Sequence, residues 1–440
     1  MTYKEHFKRN IILASPVMVS QLGHVAVGMA DSIMVGKLGV VPLAAVSLSN
    51  SIFYLLFMFG IGVSYAITPL IAQADGAKDD KKSSEILKHG LLVDMLTAFV
   101  LFLLMIFASY LLKYLNQPED VVRIAAPYLR IYACSIIPFM LFQTFRQFIE
   151  GLSLTVPPMS AAIIANIINI GLNYVLIFGK FGIEPMGAYG AAWATVIARV
   201  LMAIILLSYA LKSTRFKRYF ENISWHKFSK NMTLKMLRMG VPIGLQLTFE
   251  VGAFTCAAIM VGWLGANALA AHQIALSLVS LTYMMATGIA AAATIRVGNF
   301  YGKKDKFAVY RTGVSTVLMA AIFMAFCGIL LVVGRHYFPS LYIDNEEVVK
   351  ISALLIVIAA IFQVSDGVQV VSLGALRGMG DIKIPTVITL VAYWVLALPI
   401  GYYLGIELEL GAVGIWYGLL IGLTVAAILL FYRFYRLTRR

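Results

Sequence analysis

The chain has 440 residues, of which 61% are hydrophobic and 13% charged, and its formal net charge is +14. A soluble domain carries about 25% charged residues, so this composition excludes a water-soluble globule and makes lipid the solvent. The basic balance would admit a nucleic-acid partner, but the placement of the charges excludes one.

An apolar helix needs about 20 residues to cross a bilayer. Twelve such segments follow one another: 10–35, 42–72, 89–113, 121–148, 157–179, 187–211, 239–263, 267–294, 308–334, 348–375, 384–405 and 413–435. The first opens on Lys4, Lys8 and Arg9, as a signal peptide would, but no small-x-small cleavage site follows a short apolar core, and it is read as a retained helix. The longest loop, 212–238, carries KSTRFKRYF and WHKFSKNMTLKMLR and reads as a basic amphipathic connector on the membrane surface. With the N-terminus inside, seven Lys and Arg fall on the outer face (Lys37, Lys113, Arg123, Arg130, Lys180, Arg335 and Lys350) and Arg199 lies within a span. All the others fall on the cytoplasmic segments. This is the positive-inside pattern, with both termini cytoplasmic, and the basic loops touch anionic lipid rather than nucleic acid.

Residues 16–79 and 242–305 are two copies of one segment, aligned without a gap. Pro16 falls on Pro242, IMVGKLG (Ile33–Gly39) on IMVGWLG (Ile259–Gly265), Gly62 on Gly288, and Gly76 and Lys78 on Gly302 and Lys304. Later, the Glu150-Gly151 corner answers Arg377-Gly378. Six spans per copy is an even number, so both copies enter the membrane from the same side. The expected fold is therefore an all-α membrane protein of twelve transmembrane helices in two six-helix lobes, related by a pseudo-twofold axis along the membrane normal. The division is an N-lobe over 1–211, the cytoplasmic connector 212–238 and a C-lobe over 239–440. A duplicated hydrophobic chain of this kind points to a transporter with its site between repeats.

Charge is placed asymmetrically on this scaffold: Glu250 stands where the first copy has His24, and Asp31 where the second has Ala257. Asp31, Glu250 and Asp366 each lie in an apolar stretch. An acidic residue at a span centre costs roughly 2.5–3.5 kcal/mol, and such residues usually mark ion or proton paths; hydrogen-bonded helix glue is the alternative. Asp31 lies nearest a span end and is the most exposed to water. Gln246 lies one turn before Glu250 on the same face. Around Asp366 stand Phe362, Gln363, Ser365 and Gln369, and the Phe362 ring shares a face with the carboxylate, a pairing suited to an organic cation although core packing explains the ring alone. Asn166, Asn169 and Asn173 line one face of the fifth span. Beside a carboxylate such as Asp31 they serve either Na⁺ and proton binding or interhelical hydrogen bonding. Gln273, at the start of the eighth span, divides the same way. Pro16 and Pro242 bend matched helices, as hinges or as static kinks.

No GxxxxGK[ST] loop, HExxH motif or nucleophile elbow occurs. Cys134, Cys256 and Cys327 have neither disulfide nor zinc spacing. No catalytic residue and no cofactor is expected, and an ion gradient is the simplest energy source. His24 is read as structural.

The motifs MADSIMVGKLG with Pro16 upstream, GLQLTFEVGAF around Glu250, ALAAHQIA around Gln273 and FQVSDGVQVVSLGALRGMGD around Asp366 resemble those of the multidrug and toxin extrusion (MATE) transporters, in their NorM-like branch. The resemblance covers nearly the whole chain. It implies two six-helix lobes around a V-shaped cavity, and export of cationic, amphipathic drugs in exchange for Na⁺ or H⁺. It makes Glu250 and Asp366 the second-lobe acids that bind coupling ion and cation, and Asp31 the first-lobe aspartate with Asn169 and Asn173 in its ion site. Na⁺ is then held at either of these two groups. Gln246, Gln273, Phe362 and Gln363 are expected in the substrate cavity; Phe362 stands where some relatives have tyrosine, so no phenol hydroxyl acts there.

The expected function is secondary active efflux of small organic cations by antiport and alternating access, from a monomer in the cell (inner) membrane. The rival is a lipid-linked oligosaccharide or polysaccharide flippase of related architecture. Its pyrophosphate substrate calls for Arg or Lys inside the cavity, whereas the ionisable residues within these spans are mainly acidic, Arg199 being the main exception. A non-transporting scaffold or receptor gives buried acids no role.

Overall fold

A computed structural model describes residues 3–114, 117–224 and 228–439, so that 225–227 of the connector lie outside the described residues. Among the described residues twelve helices are long and apolar enough to cross a membrane: α1 (Tyr3–Gly36), α2 (Val40–Gly76), α3 (Asp80–Tyr114), α4 (Glu119–Gly151), α5 (Val156–Phe178), α6 (Ala188–Lys212), α7 (Lys230–Gly262), α8 (Ala266–Gly302), α9 (Lys306–Val333), α10 (Glu346–Gly378), α11 (Lys383–Glu407) and α12 (Gly411–Arg439). No strand occurs among the described residues. The reason is that lipid offers backbone N–H and C=O groups no partner, so each span bonds within itself. Several helices outrun their apolar segments: α1 begins at Tyr3, α7 at Lys230, and α8 ends at Gly302. Helical hydrogen bonding does not stop where hydropathy falls, and these ends carry buried polar groups such as His6 and Asn10.

The internal repeat is reproduced in backbone geometry. Gly39 and Gly265 precede α2 and α8 with φ of 119° and 113°, a region that favours glycine. Lys78 and Lys304 adopt left-handed φ of 57° and 59°. Asp79 and Asp305 then cap α3 and α9, each carboxylate accepting 2.9 Å hydrogen bonds from the N–H groups of Lys82 and Ala308. Gly151 approaches the turn of α2 at Thr68 and Ile71, and Gly378 approaches the matching turn of α8 at Thr294 and Val297. The regular helix is broken in α2 between Ser64 and Ile67, and in α4 between Ala133 and Ile136. In α11 two π turns, Val391–Ala397 and Tyr403–Glu407, interrupt it.

The chain divides into two compact units, one of residues 19–248 and one of residues up to 18 together with 249 onward. The boundaries fall inside α1 and α7, whereas the sequence places its division around the connector. Within the first unit, Gly240 and Gly244 of α7 lie against the backbone of Val63 and Phe59 in α2. There α4 packs on α2, α3 and α6, and α5 on α6. The short helix Thr214–Glu221 of the connector buries Phe216 and Tyr219 around Phe148, so protein covers its apolar side. Within the second unit, Gly288 of α8 meets Ala14 and Met18 of α1. The helix at the centre is α10, packed on α8, α9 and α12.

Three glycines one turn apart on α12, Gly414, Gly418 and Gly422, bring α11 against it. A Cβ on Gly418 would stand 2.3 Å from the amide nitrogen of Gly401. Close backbone approach of this kind replaces hydrophobic driving force between helices in lipid. Gly418→Leu is therefore expected to destabilise the purified protein by about 1–3 kcal/mol, the cost of overpacking. Gly28→Ala, where an added Cβ meets nothing within 4 Å, should leave thermal unfolding in detergent unchanged.

Candidate functional site

In the unit of residues 19–248, Asp31 of α1 comes together with Asn169 and Asn173 of α5. The Asn173 amide donates to the Asp31 carboxylate and, at 3.1 Å, to Asn169 Oδ1. Asn169 in turn reaches Thr195 Oγ1 of α6 at 3.5 Å. The i, i+4 spacing of the asparagines stacks them on one face. Both asparagines are buried and Asp31 is half-buried. Asn173 Oδ1 has no hydrogen-bond donor among the described residues. Carboxylate and amide oxygens converging in this way suit a hard cation or a proton. Asn166 lies one turn earlier, beside Gly23 of α1.

In the other unit, Glu250 of α7 and Asp366 of α10 are 8% and 3% exposed. Tyr393, in the first π turn of α11, donates to Glu250 Oε1 at 3.3 Å and accepts from the Gln369 amide at 2.9 Å. Tyr283 of α8 lies beside Glu250. Asp366 lies within electrostatic reach of Glu250, and the charge of Arg377 also reaches Glu250. Neither carboxyl forms an ion pair among the described residues. One turn before Asp366, the fully buried Gln363 amide finds no partner among the described residues. A buried polar group without a partner costs about 1–3 kcal/mol, so Gln363 offers both a donor and an acceptor to whatever these carboxyls bind.

The remaining sequence candidates are placed differently. Gln246 is buried one turn before Glu250, in the residues of the first unit. Gln273 is exposed on α8. Phe362 is 1% exposed, and its ring packs against Phe254 and Trp416 in the core. Among the described residues no group of three or more His, Cys, Asp or Glu could hold a metal ion, and the three cysteines are free.

Sequence reasoning missed Tyr393, Tyr283 and Thr195, whose side chains carry no charge to single them out. It also missed Asp94, which is 1% exposed and accepts a 2.7 Å hydrogen bond from Thr144. An apolar run starting at residue 89 puts Asp94 near a membrane surface. The helix starts at Asp80, which sets Asp94 roughly 21 Å along it.

The sequence matches the family described as MatE over residues 16–175 and again over 242–403. It is 34% identical to the multidrug resistance protein NorM of Photobacterium profundum, covering 97% of this chain and 95% of that one. It is also 34% identical to NorM of Vibrio cholerae, covering 100% and 97%. In fold it is similar to the eukaryotic MATE transporter AtDTX14, with a TM-score of 0.88 at 22% identity over 99% of this chain and 98% of that one. A MOP superfamily transporter from Pyrococcus furiosus gives a TM-score of 0.90 at 21% identity over 99% and 96%.

A double-mutant cycle tests the Asp31 cluster. Asp31→Ala and Asn173→Ala are expected to show a coupling of about 1.5–3 kcal/mol in detergent unfolding, the strength of a hydrogen bond to a charged group. Additive losses would show that the two side chains do not interact.

Proposed function

The chain belongs to the MatE family, and on that premise we propose that it is a multidrug exporter that expels small organic cations in exchange for Na⁺ or H⁺. It is a multi-pass membrane transporter and not an enzyme. The observation that carries the antiport reading is the enclosed pair Glu250 and Asp366, two acids in one bundle with no ion-paired Lys or Arg among the described residues. Two acids so placed demand a positive charge. A coupling ion supplies it in one step of the cycle and an organic cation in the other. Because both ligands answer the same negative charge, each weakens the other, and linkage makes that effect reciprocal. Ion entry then releases drug outward, and drug arriving from inside displaces the ion.

Asp31 with Asn169 and Asn173 is a second place for the coupling ion, since it offers oxygen donors and little apolar contact. Gln246, Gln273 and Gln363 supply polar contacts to the substrate. A lipid-linked pyrophosphate would be repelled by the acidic pair. The protein acts as a monomer in the inner membrane with both termini cytoplasmic, the orientation that the Lys and Arg distribution favours.

Proteoliposome efflux of ethidium, driven in turn by an imposed Na⁺ gradient and an imposed pH gradient, tests the reading. One gradient is expected to drive efflux, and Glu250→Gln and Asp366→Asn are each expected to slow it by at least about tenfold, a loss of 1.4 kcal/mol or more. Efflux that survives both substitutions would remove the acidic pair from the mechanism. Failure of the wild type under either gradient would overturn drug export and direct attention to lipid-linked substrates.

A further inference from the structure

Arg199, on α6 in the unit of residues 19–248, is held in an unusual way. Its guanidinium carbon lies 5.0 Å from the ring centre of Phe53, 4.9 Å from Phe57, 5.2 Å from Tyr132 and 5.0 Å from Phe139. The rings themselves are packed together, Phe53 to Tyr132 at 4.0 Å and Phe57 to Phe139 at 4.5 Å. The group donates one 2.7 Å hydrogen bond to Ser135 Oγ, at the break in α4, and a long one of 3.4 Å to the Tyr132 hydroxyl. The Ser135 hydroxyl is free to accept because its own proton goes to the Tyr132 carbonyl at 2.6 Å. Arg199 forms no ion pair among the described residues.

A cation enclosed by four aromatic rings and not by a carboxylate is the arrangement that recognises organic cations. The rings neutralise charge through their faces and place no demand on its donor geometry. They would therefore hold a trimethylammonium, amidinium or guanidinium head as they hold this one. Replacing Arg199 by such a head leaves the charge inside the cage unchanged, so the exchange carries no electrostatic penalty there. Arg199 is only half-buried, so its side chain is not locked inside the core. From its place in the cage Arg199 already has Asp31 within electrostatic reach.

We propose that Phe53, Phe57, Tyr132 and Phe139 form a binding subsite for organic-cation head groups, in which Arg199 is a tethered competitor that substrate displaces. The proposal rests on the organic-cation reading above and assigns it a second, aromatic subsite apart from Glu250 and Asp366. With Arg199 displaced but tethered nearby, a bound head group adds a second positive charge within reach of Asp31, so substrate in the cage would weaken ion binding there.

The test is equilibrium dialysis of benzyltrimethylammonium against the full-length purified protein. Arg199→Ala empties the cage and is expected to bind the probe about tenfold more tightly than wild type, within the range of a desolvated cation–π interaction. Adding Phe57→Ala in that background should abolish the gain. Arg199→Gln, which keeps the aliphatic stem and a polar end without the charge, should give a smaller gain and serves if the alanine variant loses its fold. Unchanged or weaker binding by Arg199→Ala or Arg199→Gln, or a gain that survives Phe57→Ala, overturns the subsite. Ethidium efflux by the wild type is measured alongside. No efflux sinks the organic-cation reading itself, whereas normal efflux with unchanged probe binding sinks only the cage.

Discussion

Taking a carboxylate out of water and into a lipid-embedded bundle is costly unless something neutralises it. The protein meets that cost in two ways. Glu150 has a permanent charged partner, Arg146, one turn earlier on the same helix at 2.7 Å. Glu250 accepts from the Tyr393 hydroxyl and feels the charge of Arg377, but among the described residues neither it nor Asp366 is ion-paired. The first arrangement is complete as it stands. The second is completed by a cation, and that difference separates the structural acids from those proposed to carry transport.

The scaffold explains how one fold can hold both kinds. Each repeat places a turn glycine, a left-handed lysine and an aspartate cap at matching positions, so the backbone frame is duplicated in detail. The charged side chains are not duplicated with it. Asp31 and Glu250 stand at unlike positions in the two copies, Arg199 sits among rings in one unit, and Tyr393 sits on a π turn in the other. Departures from regular helix coincide with the side chains of the two proposed sites: the α4 break presents Ser135 to Arg199, and the α11 π turn carries Tyr393 to Glu250. Such interruptions are tolerated in lipid only where neighbouring groups satisfy the released backbone.

Much of this was legible in the sequence. The twelve spans follow from hydropathy because the bilayer allows no alternative to helix, and the repeat follows from residue identity at one constant offset. Spacing on α5 puts Asn169 and Asn173 on one face, and their association with Asp31 is what the family resemblance implies. What was not legible depends on helices meeting in space. Nothing in the apolar run around Tyr393 marks its hydroxyl as a partner of Glu250. Nothing in the separate aromatic segments marks Phe53, Phe57, Tyr132 and Phe139 as one cage, or Phe254 and Trp416 as the rings that pack on Phe362. Asp94 escaped because the apolar window begins at residue 89 whereas its helix begins at Asp80.

The central claim is that ion and organic cation share one negative charge, and equilibrium binding reports on it without any membrane gradient. Titration of purified protein with tetraphenylphosphonium, at a series of Na⁺ concentrations and pH values, should show the apparent Kd rising with the coupling ion and reaching no plateau, as direct competition requires. The Na⁺ or proton affinity should fall correspondingly as tetraphenylphosphonium is added. Tight tetraphenylphosphonium binding that ignores both Na⁺ and pH would contradict the account.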